Sequence, residues 1–135
     1  MRNTAPEIKN LARQLIAFEA KHDAGASFAS ALTVCDKLRV PLSKLSGLAA
    51  FNALMSRSLT LAGANIPALG ALRVREDGRL DGVEQFELAT GPESAEAGVV
   101  LVAILLGLLS LFIGEPLTFH LVRDIWPDAS LEKKP

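Results

Sequence analysis

The side chains that could move protons, hold a metal or attack a substrate are two histidines, one cysteine and fifteen carboxylates. His120 and Asp124 stand four residues apart and can share one helix face, where the carboxylate would favour the protonated imidazole and make a pH-responsive pair beside Glu115. A solvated surface ion pair is the plainer reading of the same spacing. His22 and Asp23 fall near the end of a helical pattern, where a cationic side chain meets the negative pole of the helix dipole. Cys35 lies on an apolar stripe, which implies a buried, inert thiol. As a lone cysteine it excludes an intramolecular disulfide framework and a thiolate-only metal cage.

The chemistry-bearing motifs are absent. The two Asp-Gly pairs lack the alternating oxygen ligands of a calcium loop, "GRLDG" lacks the Lys-Ser/Thr ending of a phosphate loop, and there is no Gly-x-Ser-x-Gly, His-Glu-x-x-His or paired-cysteine site. Arg73, Arg75 and Arg79 are interleaved with Glu76, Asp77 and Asp81, the pattern of a solvated ribbon. The expectation is a non-enzymatic protein with no cofactor and no metal.

The elements that would carry these residues read as mainly α: a small helical bundle with one short β-hairpin, about 72–83, and one long hydrophobic helix, about 92–126. The length of 135 residues fits a single domain, 1–135. Residues 1–66 divide into three amphipathic helices. In the first, Thr4 and Glu7 have capping-box spacing, Pro6 suits a first turn, and Ile8, Leu11, Ala12, Leu15 and either Ile16 or Phe18 recur at helical spacing up to a stop at Gly25. Phe28, Ala31, Leu32, Cys35 and Leu38 form the second stripe, which the constraint Pro41 places on Val40 should end. The third, from Pro41 to a stop near Gly63 and Asn65, carries Leu45, Leu48, Ala49, Met55, Leu59 and Ala62 on one side. Its small face at Ala50, Ala53 and Arg57 predicts a close second helix contact.

Residues 67–91 are expected to be hairpin and loop. Asp77-Gly78 as a two-residue turn sets Glu76 opposite Arg79 and Leu72 opposite Val83. Thr90 and Glu93 then offer another capping box before 92–126, and 127–135 form a polar tail. No internal repeat is visible.

Half the residues are hydrophobic and mean hydropathy is +0.30. Net charge is −1, and dividing the chain after Glu96 leaves 11 cations against 11 carboxylates in the first part, so nucleic acid is not an expected partner. The N-terminus lacks the apolar core and cleavage site of a secretory signal. Ala97 to Gly114 contains 18 uncharged residues, about 27 Å of helix, the minimum for a bilayer span. It can equally be the all-round hydrophobic axis of a soluble core. The patterning continues past Glu115 through Leu117, Leu121, Val122, Ile125 and Trp126.

Ala103, Gly107, Ser110, Gly114 and Thr118 follow at spacings of four, three, four and four, a small-residue face on which two backbones can approach. The expected function is therefore a helical protein on the cytoplasmic side, membrane-associated, that self-associates through this face as a homo-oligomer and presents its N-terminal helices to an unknown protein partner. The alternative is a soluble cytoplasmic regulatory or adaptor module with 97–126 as its buried core helix.

Overall fold

A computed structural model describes residues 5–21 and 27–129; the side chains of Ala5 and Pro6 are not described. His22, Asp23, Gly25, the Thr4 side of the first capping box and the end of the polar tail therefore lie outside the described residues. Among those described, six α-helices and one hairpin follow in the order α1 (Ala5–Ala20), α2 (Phe28–Ser46), α3 (Leu48–Asn65), a 3-10 turn (Pro67–Ala71), β1 (Arg73–Val74), β2 (Leu80–Asp81), α4 (Val83–Thr90), a second 3-10 turn (Gly91–Glu93), α5 (Ser94–Ile113) and α6 (Glu115–Ile125). The expected mainly helical fold with one antiparallel hairpin is what the structure has.

α1 buries Ile8, Leu11, Ala12, Leu15 and Ile16, so Ile16 rather than Phe18 completes its stripe. α2 starts at Ser27, whose hydroxyl accepts the Ser30 N–H. It does not end at Pro41. The proline removes one backbone donor and crowds the preceding turn, a local cost of about 3 kcal/mol, but Leu38 and Leu42 on either side of it are both buried on the same face. Packing carries the helix on to Ser46.

The chain then turns on a single residue. Gly47, at φ 93°, ψ 150°, closes α2 through its N–H to the Ser43 carbonyl and opens α3. Gly114, at φ 94°, ψ 151°, does the same between α5 and α6 through the Ser110 carbonyl. The continuous helix expected over 92–126 is thus two helices. Sequence periodicity persists across the break because Thr118, Val122 and Trp126 still face a core, but they reach it on a separate helix that turns back.

These two corners belong to a larger correspondence. α2 and α5 pack side by side, with Gly98 so close to Ala31 that an added Cβ would lie 2.6 Å from the alanine methyl. Shifting the chain by 67 residues, the step from Gly47 to Gly114, maps buried Ala31, Val34, Cys35, Leu38 and Leu42 onto buried Gly98, Leu101, Val102, Leu105 and Leu109. Beyond the glycines, buried Phe51, Met55 and Leu59 map onto buried Thr118, Val122 and Trp126. The helix–glycine–helix unit occurs twice, with few identities to betray it in the sequence.

The region expected to be hairpin and loop differs in two respects. Val74 pairs with Leu80 and Arg73 with Asp81, one residue out of the expected register. A two-residue loop needs positive φ at Asp77 as well as Gly78, whereas the three-residue loop found here needs it at Gly78 alone, φ 89°. The Gly78 N–H donates to the Arg75 carbonyl and the Arg79 N–H to the Asp77 carboxylate. The segment after it is helical: α4 is held by Phe86, buried with its ring centroid 4.6 Å from that of Phe28. Thr90 does not form the second capping box, because its hydroxyl donates back to the Phe86 carbonyl.

Candidate functional site: the open face of the central helix

α5 is the axis of the bundle, packed by α1, α2 and α3. All its side chains from Ala97 to Ile113 are apolar except Ser110, so hydrophobicity does not decide which way it faces. The fold does. Leu101, Val102, Leu105, Leu106 and Leu109 point inward and are buried completely. Val100, Ala103, Ile104, Gly107 and Leu108 lie on the opposite side, partly covered, and Leu111 on the same stripe is 83% exposed. A Cβ built on Gly107 would meet nothing within 4 Å. Ala103 and Gly107 of the small-residue face therefore lie on the outer side of α5, with the space over Gly107 left unfilled.

The five residues of that face do not share one environment. Ala103 and Gly107 are in the open stretch. The Ser110 Oγ is buried without a hydrogen-bond partner, Gly114 is the corner, and Thr118, fully buried on α6, donates its hydroxyl to the Gly114 carbonyl at 2.8 Å. On α3, the small face expected to meet another helix is turned largely to solvent: Ala53 and Arg57 are exposed and Ala50 is half-buried. Leu45, Leu48 and Ala49 are also exposed, since the corner at Gly47 resets the helix phase and leaves Met55, Leu59 and Ala62 to carry its buried stripe.

Comparison with known protein families, curated proteins and solved structures finds no match for this chain. Its side chains alone must carry the functional reading.

His120 and Asp124 meet as their spacing predicts, Nε2 to Oδ2 3.6 Å, but both are 69% exposed, which makes the pair a surface contact. Burial, with a smaller contribution from neighbouring Asp36, pushes the Cys35 thiol up to about 12, so its thiolate is scarce at neutral pH. Among the described residues no three His, Cys, Asp or Glu side chains gather to hold a metal ion.

Sequence reasoning missed one cluster. The Glu19 carboxylate is buried where α1 ends, accepting the Trp126 indole N–H at 2.8 Å and pairing with the Lys37 ammonium at 2.7 Å. It ties α1, α2 and the end of α6 together. The available signal was its position four residues after Leu15, on the stripe that otherwise holds only apolar side chains. The Arg13 guanidinium reaches Glu96 at 3.2 Å, linking α1 to the start of α5.

Proposed function

We propose that this chain is a small non-enzymatic helical module that self-associates, the open face of α5 in one copy pairing with the same face in a second. The observation that carries the reading is the unfilled space over Gly107, flanked by Ala103 and the partly exposed Val100, Ile104, Leu108 and Leu111. Close backbone approach at small residues gains dispersion contacts along several turns. The stripe carries no charge from Ala97 to Gly114, so it asks for no complementary charged partner. A second copy supplies an identical apolar surface about a two-fold axis. From Val100 to Leu111 the face is only about 17 Å long, shorter than a standard interface requires, which makes the pairing concentration-dependent.

In this reading α5 serves as a bundle core in a soluble protein. The helical run Val83–Ile113 is long and apolar enough to cross a membrane, with a mean hydropathy of 2.5 over its most apolar stretch. A span would, however, carry the neighbours of α5 with it. The Lys37–Glu19 pair joins α1 to α2, both of which pack along α5, and charged groups at bilayer depth are costly. Keeping the packing seen here therefore favours a chain that does not cross the bilayer.

Light scattering over a range of concentrations tests the pairing. The expected result is a rise in mass toward a dimer, with Leu111→Glu weakening association roughly a hundredfold by placing an unpaired carboxylate between two apolar faces. Leu88→Glu, at an 86% exposed position on α4, should leave it unchanged. A wild-type chain that stays monomeric throughout would remove the proposal.

A further inference from the structure

The two Asp-Gly pairs of the hairpin differ in how firmly each is held. An Asp-Gly peptide bond is open to attack on the aspartate by the next residue's nitrogen, because glycine has no Cβ to shield it. At Asp77-Gly78 both reactants are engaged. The Gly78 N–H donates to the Arg75 carbonyl at 3.0 Å, and the Asp77 carboxylate accepts the Arg79 N–H at 3.0 Å and lies 3.4 Å from the Arg75 guanidinium. Packing adds restraint: Gly78 is buried against Arg39, Asn52 and Leu48, and the Asn52 amide donates to the Glu76 carbonyl.

Asp81-Gly82 is built differently. Asp81 ends a two-residue strand, where ladder bonds fray. Its side chain is 68% exposed and pairs only at 3.7 Å with Arg75, a surface contact that holds it weakly. The Gly82 N–H lies beyond the ladder, at the entry to α4, and donates to no acceptor among the described residues. Glycine is needed at this corner, because the chain enters α4 at φ 91° and an added Cβ would lie 3.4 Å from the Ala71 carbonyl oxygen. The corner's own demand therefore leaves Asp81 beside an unshielded, unengaged nitrogen.

We propose that Asp81 is a site of spontaneous backbone rearrangement to isoaspartate. The Gly82 nitrogen attacks Cγ of the protonated Asp81 carboxyl. The N–Cγ bond forms, a C–O bond breaks, and the hydroxyl leaves with the amide proton as water, giving a five-membered succinimide. Water then adds to one of the two ring carbonyls. Addition at Cγ breaks the N–Cγ bond and restores aspartate. Addition at the former main-chain carbonyl breaks its bond to nitrogen, so the chain now runs through Cβ and Cγ and the old carbonyl becomes a carboxylate. The water lost is regained and nothing is oxidised. The main chain has gained one methylene just before Gly82, at the residue paired with Arg73. α4, whose one buried side chain is Phe86, thereby loses its fixed entry.

Prolonged incubation of the full chain in heavy-oxygen water at neutral pH tests the proposal, because each succinimide opening leaves one heavy oxygen at its aspartate. Trypsin, used afterwards in ordinary water, cuts after Arg75, Arg79 and Arg123, so Asp77 falls in fragment 76–79 and Asp81 is the sole aspartate of fragment 80–123. In the folded chain, fragment 80–123 should take up label at least about tenfold faster than 76–79, since two hydrogen bonds must break before Asp77 reacts. The aged 80–123 fragment should also accept a methyl group from an isoaspartyl methyltransferase. In urea the two rates of uptake should converge. Asp81→Glu, which would need a six-membered ring, should silence 80–123 and leave circular dichroism unchanged. Absence of label or of methyl acceptance in 80–123, equal uptake by both fragments of the folded chain, a difference that persists in urea, or undiminished labelling of Asp81→Glu would each overturn the proposal.

Discussion

At the residue scale, burial decides what Cys35 can do. Its place on the stripe with Phe28, Ala31 and Leu38 makes that burial legible in the sequence. The folded thiol titrates near 12 against about 8.5 for an unfolded cysteine. Its pKa is raised, so the stabilisation from keeping the thiol neutral is complete below about pH 8.5 and is lost as pH rises from there toward the folded value. Iodoacetamide at neutral pH should therefore modify Cys35 only through opening of the bundle, with a rate that climbs with urea in step with unfolding. Rapid labelling of the native chain would show an accessible thiolate and reverse this assignment. Glu19 was less legible for a physical reason. A carboxylate on an apolar face announces a partner without identifying it, and Trp126 is 107 positions away.

Among the elements, helices were easier to read than the joints between them. Stripes on α1 and α2 follow from 3.6-residue periodicity, but a single-residue corner such as Gly114 preserves the apolar pattern on both sides and leaves no gap in it. Hairpin register was missed because an Asp-Gly pair suits both a two-residue loop and the longer loop that spares Asp77 a positive φ. The two kinds of glycine can be separated by alanine substitution. Gly114→Ala meets only the Pro116 ring, at 3.9 Å, so its cost is backbone strain at φ 94°, about 1–3 kcal/mol. Gly47→Ala should cost a similar amount. In contrast, Gly107→Ala lies mid-helix in open space and should stabilise by about 0.5–1 kcal/mol. Urea denaturation of the three variants checks both signs, and equal gains at positions 107 and 114 would mean that α5 and α6 are not broken as described.

The turn offers a separate test, because Gly78→Val combines positive φ with a Cβ only 2.5 Å from the Arg39 Cδ. Amide exchange should accelerate across residues 73–81 in this variant, and an unaltered pattern there would count against the loop geometry. Asp77 reports on the same turn. The Arg79 backbone N–H, then nearby arginines, hold its carboxyl below the usual range. The turn's support from this carboxylate is present above the unfolded value near 3.9 and is lost as pH falls through the lower folded one.

For the whole molecule, two asymmetries matter that composition hides. A division after Glu96 balances charges evenly, yet it pools residues 37–75, which hold no carboxylate, with part of the carboxylate-rich stretch 76–128. Likewise the apolar length of α5 is plain in the sequence, but the direction it faces is not, because leucines stand on both sides of the axis and only the fold turns Leu101, Leu105 and Leu109 inward and Ala103, Gly107 and Leu111 outward. Gly107→Leu tests that orientation and the proposed pairing together. If an intramolecular neighbour filled this side, the added side chain would overpack the monomer and lower stability by about 1–3 kcal/mol. With nothing within 4 Å of the new Cβ, the monomer should instead gain about 1 kcal/mol of helix propensity, raising its melting temperature at low concentration by about 3–6 °C. At high concentration the same leucine holds two α5 helices apart, so the dimer fraction in light scattering should fall while the monomer becomes more stable. Opposite movement of these two quantities in one variant is the signature of an outward small-residue face that a second chain covers, and a melting temperature that drops at every concentration would place the missing neighbour within the chain itself.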